Sequence, residues 1–128
     1  MELKKKHATD LHHEYLEWIE KFKFYEEEMV RMRTHLSELM ANNTATEVQS
    51  TGEQFLNRLD IQRNHLQTIK DHLRHQEQII AHEVKANPTQ YKHVLTPEDE
   101  VKQAEIGYFE KSFPELREEV REFQSKYL

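Results

Sequence analysis

The run LHHEYLEWIEKFKFYEEEMVRMRTHLSEL, from Leu11 to Leu39, sets Leu11, Tyr15, Trp18, Phe22, Tyr25, Met29, Met32, Leu36 and Leu39 at alternating steps of four and three residues. That alternation holds one apolar stripe on one side of an α-helix, the heptad pattern by which a helix faces a partner along its whole length. The residues between are charged or polar, so the rest of the helix surface is solvated. Asn42-Asn43 follows, and asparagine side chains compete with helical hydrogen bonds. The pattern therefore predicts a first helix over about residues 2–41.

Outward from this seam lie two more of the same kind. Thr44-Ala45-Thr46-Glu47 reads as a capping box, a hydroxyl at the N-cap with a carboxylate three residues on. Val48, Gly52, Phe55, Leu59, Gln62, Leu66, Ile69, Leu73, Gln76 and Ile80 then step by four or three, which predicts a second helix over about residues 46–86. Asn87-Pro88 ends it, because proline cannot extend a helix. Pro88 to Leu95 has no period and reads as part of a loop over 87–96. Thr96-Pro97-Glu98-Asp99 is a helix start: a threonine N-cap, proline at the first turn and acids at the positive end of the dipole. Ile106, Phe109, Phe113, Leu116, Val120, Phe123 and Tyr127 form the third seam, predicting a helix over about 97–127. The period crosses Pro114 in phase, so a kink in one helix is expected there rather than a break.

Three seams joined by short connections predict an all-α fold, an elongated, coiled-coil-like antiparallel three-helix bundle formed by residues 1–128 as one domain. At 1.5 Å per residue its helices would be about 45–60 Å long. A tight turn near Thr44 sets Leu39 against Val48, Met32 against Phe55, Tyr25 against Gln62 and Trp18 against Ile69. A symmetric second connection sets Gln76 against Ile106, Ile69 against Phe113, Gln62 against Val120 and Phe55 against Tyr127. Tyr25, Gln62 and Val120 are then expected to share one cross-section, with the Tyr25 hydroxyl satisfying the Gln62 amide. In this alignment the third helix stops short of the first hairpin's tip. Leu36, Leu39, Met40 and Val48 are left as uncovered apolar surface, the expected partner-binding residues, and the off-seam Phe24, Val30 and Ile61 would extend it.

Composition agrees with long helices that each bury only a stripe. One third of the residues are charged, and the chain has only two glycines and three prolines, too few for a turn-rich β or α/β domain. It also has one tryptophan, five tyrosines and six phenylalanines at regular intervals, which argues against disorder. The net charge of −6 disfavours general nucleic-acid binding. The small Lys4 to Lys6 patch reads as a solvated helix start. No apolar run follows it, so no secretory signal is expected, and no window is apolar enough for a membrane span. The absence of cysteine removes disulfides and thiolate chemistry and suits a reducing, cytoplasmic setting.

Nine histidines invite a metal or phosphoryl reading. His72 and His75 lie three apart, and His65 and His72 flank the second seam. Even so, the Glu-x-x-His pairs of di-iron bundles are absent, and His82-Glu83-Val84-Lys85-Ala86 lacks the second histidine of the zinc-protease helix. Phosphorelay transfer domains are similarly helical, but their histidine is followed by a Lys-Gly pair that this chain lacks. His65, His72 and His75 remain the residues of the alternative reading, a histidine-using bundle. The leading expectation is a non-enzymatic helical interaction or scaffold protein that contacts a protein partner or a second copy as a homodimer. It has no cofactor, no nucleic acid or membrane partner and no evident small-molecule substrate. In helix number and length, and in a tryptophan on the first helix, the chain resembles spectrin-type three-helix repeats. That resemblance implies an architecture and no activity.

Overall fold

The computed structural model describes residues 5–86 and 92–127. Its elements are strand β1 (Lys5–His7), helix α1 (Ala8–Asn42), helix α2 (Thr46–Ala86), strand β2 (Lys92–Val94) and helix α3 (Pro97–Ser125). The three helices pack on one another as an all-α three-helix bundle, with α1 and α2 as a long antiparallel hairpin. The course of that hairpin is marked from tip to base by Gln49 on the Met40 carbonyl, Arg33 with Asp60, Glu26 with Lys70 and His12 with Glu77. α3 runs alongside α1, as Lys21 with Glu110 and Glu28 with Arg117 show.

Most positions of the three seams are buried as read, and Trp18, Tyr25, Leu39, Phe55 and Tyr127 are partly buried against them. Leu11, Tyr15, Phe22, Met29, Met32 and Leu36 come from α1, Val48, Leu59, Leu66, Ile69, Leu73 and Ile80 from α2, and Ile106, Phe109, Phe113, Leu116, Val120 and Phe123 from α3. Aromatic rings fill the middle. Phe109 and Phe113 stack at 5.5 Å between centroids, and the Tyr25 ring stands edge-on to both, at 5.2 Å and 5.3 Å. Such edge-on pairs add to simple area burial, by about 0.5–1.5 kcal/mol each. α3 continues through Pro114 without a break.

Four local expectations are corrected. The first helix does not begin near Glu2: Lys5–His7 is extended, and α1 starts at Ala8 with the His7 imidazole accepting from the Thr9 amide at 3.3 Å. The segment expected to be loop contains β2, which pairs antiparallel with β1 in the register Lys5 to Val94, Lys6 to His93 and His7 to Lys92. Two extended pieces of different origin satisfy each other's backbone groups, something no single-segment period reveals. At the first turn, the Thr44 to Glu47 capping box does not form among the described residues. α2 starts at Thr46, the Ala45 carbonyl accepts from Val48 and Gln49, and the Asn43 side chain accepts from the Ala45 amide. Gln49 closes the corner by donating to the carbonyls of Met40 and Asn43 at 2.6 Å and 2.9 Å. The expected stop at Asn87-Pro88 and the Lys4 end of the basic patch lie outside the described residues.

The fourth correction is the axial position of α3. Tyr25 meets Phe109 and Phe113 rather than Val120. Gln62 donates to Ser112 at 3.3 Å, and Phe55 meets Phe123 at 5.4 Å. α3 is therefore displaced toward the hairpin tip, by about one heptad relative to α1. The reason lies in the connection. β2 returns alongside β1, so α3 begins beside His72, which lies 3.1 Å from Asp99, well short of the end of α2. Leu95 and Ala8, both buried, anchor this folded-back end to the core.

Candidate functional site

The displacement of α3 changes what the hairpin tip offers. Leu36 and Val48, expected to be bare, are both 0% exposed. Leu39 and Met40 are half-buried, and the Met40 side chain lies over Gly52, where an added Cβ would fall 2.5 Å from the Met40 sulfur. The end of α3 brings Phe123, and Tyr127 just beyond it, to the tip, their rings 5.3 Å apart. The uncovered apolar end is thus replaced by a groove of about 530 Å³ between the ends of α1 and α3, lined by His35, Glu38, Leu39, Asn42, Gln124 and Tyr127. Leu39 and Tyr127 supply its apolar walls, and the other four supply polar groups. Tyr127 and Gln124 were not legible as site residues, because their position depends on how far α3 slides. Of the off-seam apolar residues, Phe24, Val30 and Ile61 are 65%, 48% and 59% exposed.

A smaller groove of about 210 Å³ lies along the same α1–α3 face, lined among others by Arg31, His35, Arg117, Arg121 and Gln124. Arg117 is held in place: it donates to Glu28 at 2.8 Å, and its guanidinium lies 5.1 Å from the Phe113 ring centroid. Arg31, His35 and Arg121 are exposed.

His65, His72 and His75, the histidines singled out by sequence, are not brought together. His65 lies 3.5 Å from Glu105, His72 lies 3.1 Å from Asp99, and His75 is exposed. Among the described residues, no group of three or more His, Asp or Glu side chains is placed to hold a metal ion. His72 instead belongs to the mooring of α3. Asp99, 1% exposed, accepts from the Thr96 amide at 2.9 Å and the Thr96 hydroxyl at 3.0 Å, while its own amide donates to that hydroxyl. This capping box was legible in Thr96 and Asp99, but its contact with His72 was not. Beside it, the Tyr15 phenol is pushed from 10.0 up to about 12, chiefly by burial and then by the Asp99 charge. The cluster joins all three helices, with Tyr15, His72 and Asp99 turned inward and Thr96 exposed at its edge.

Gln62 also departs from expectation. Its amide nitrogen reaches Ser112 rather than Tyr25, and its buried carbonyl oxygen has no hydrogen-bond partner among the described residues. Among the described residues, no helix is long and apolar enough to cross a membrane. No protein-family model, no curated protein and no solved structure matches this chain.

Proposed function

We propose that this chain is a non-enzymatic helical interaction protein that acts through protein–protein contacts and self-associates as a homodimer at the hairpin tip. The observation that supports this reading is the tip groove, in which half-buried Leu39 and Tyr127 are rimmed by His35, Glu38, Asn42 and Gln124. An apolar centre with a polar rim is the anatomy of a docking surface. A surface at the end of a rod suits a twofold contact, in which the same patch serves both copies. Of the residues first expected to form the contact, Leu39 and Met40 keep that role, while Leu36 and Val48 support it from the core. A cytoplasmic location belongs to the same proposal, supported by the cysteine-free composition.

The test is sedimentation velocity over a range of concentrations. Wild type is expected to show a dimer, and the Leu39→Glu, Met40→Glu double variant a monomer of unchanged helix content. A wild type that stays monomeric throughout overturns the self-association.

A further inference from the structure

The strongest feature outside the tip contact is the imbalance of charge in the smaller α1–α3 groove. The protein as a whole carries −6, yet this groove gathers Arg31, Arg117, Arg121 and His35 around one carboxylate, Glu28. Glu28 is already engaged by Arg117, which is also pinned by the Phe113 ring. That leaves Arg31 and Arg121 exposed on opposite walls, one from each helix, with no ion-pair partner among the described residues. Other exposed arginines are mixed: Arg33 and Arg58 pair with Asp60 and Glu119 of a neighbouring helix, whereas Arg63 and Arg74 have no ion pair among the described residues. What distinguishes Arg31 and Arg121 is that one groove gathers them.

We propose that this groove docks a short acidic segment of a partner protein, whose Asp and Glu carboxylates pair with Arg31 and Arg121 while Gln124 and His35 provide further polar contacts. Guanidinium groups suit this task because they present planar forks that match a carboxylate through two hydrogen bonds. The scale of the site sets the class of occupant. About 210 Å³ takes a few side chains, and the acidic surface beyond it repels a long polyanion such as a nucleic acid. A brief carboxylate cluster gains the local attraction without that cost. The inference rests on reading the chain as an interaction protein, but not on its forming a dimer.

A fluorescein-labelled peptide with a Glu-Asp-Glu run tests it by fluorescence anisotropy, beside the same peptide with Lys in place of each acid. Wild type is expected to bind the acidic peptide saturably and the lysine peptide not at all, with affinity falling as salt is raised. The Arg31→Glu, Arg121→Glu variant changes two exposed, unpaired residues and is expected to keep its helix content while losing roughly tenfold or more in affinity. No saturable binding by wild type, equal binding by the variant, or displacement by an equal concentration of inorganic phosphate overturns the proposal. Sedimentation of the same variant separates the two readings. A retained dimer leaves self-association untouched, whereas loss of the dimer hands this groove to the second copy and overturns the partner-peptide assignment.

Discussion

Replacing Asp99 by alanine tests whether the His72–Asp99–Thr96 cluster moors α3. Among the described residues the carboxylate contacts the Thr96 amide at 2.9 Å, the Thr96 hydroxyl at 3.0 Å and His72 at 3.1 Å. Thr96 is exposed, so water takes over its freed groups, and the loss there is that of a helix cap, about 1 kcal/mol. His72 is only 10% exposed and would lose a fully buried acceptor, costing about 1–2 kcal/mol more. Removing a carboxylate from the interior offsets part of this, because a buried charge is itself costly. The balance is a destabilisation of about 2 kcal/mol, which for a domain of this size lowers Tm by roughly 7 °C. Urea unfolding followed by far-ultraviolet circular dichroism measures it, with Thr96→Ala and the double variant completing a cycle. Because the two residues touch, the double variant should lose less than the separate losses combined. An unchanged stability in Asp99→Ala, or strict additivity in the cycle, would refute the mooring role.

Four further outcomes are expected. Tyr15 is protonated more firmly in the folded than in the unfolded protein, with a pKa of about 12 against 10.0, so its contribution to stability is full below pH 10.0 and is lost as pH rises toward 12; Tyr15→Phe should flatten that decline in urea titrations. Gly107→Ala should raise stability by about 0.5–1 kcal/mol, since nothing lies within 4 Å of the added Cβ. Gly52→Ala should fall short of that gain because Met40 must move aside, and should recover it in a Met40→Ala background, as thermal melts would show. Gln62→Leu should stabilise the fold by about 1 kcal/mol, because it removes a buried carbonyl oxygen that has no hydrogen-bond partner among the described residues. Ser112 meanwhile keeps its bond to the Phe109 carbonyl. A loss of stability in urea denaturation would mean that the Gln62 amide is satisfied after all.

The residues that line the tip show how far a one-dimensional reading reaches. Leu39 and Met40 could be placed at the end of the first hairpin, because a short turn between two seams leaves little freedom in how those helices align. Arg31 and Arg121 could not be paired, since α1 and α3 are joined only through α2 and a returning connection. Gln62 illustrates the same limit: its seam position is legible, but its hydrogen-bond partner is Ser112 rather than the expected Tyr25, because α3 lies nearer the tip than the pattern implies.

The set of buried faces can be read from the residue pattern alone. Steps of three and four residues place each stripe on one side of a helix, and burial of those stripes leaves few arrangements other than a bundle. Where α3 lies along the other two helices follows instead from packing in three dimensions. A heptad seam shifted by one repeat still meets its partners with apolar residues, so the pattern is nearly blind to that translation. The choice is made by contacts between distant segments: the β1–β2 pairing that folds the connection back, Asp99 against His72, and the Tyr25 ring against Phe109 and Phe113. These contacts bring the end of α3 to the tip, bury Leu36 and Val48, and set Arg31 and Arg121 in the walls of one groove.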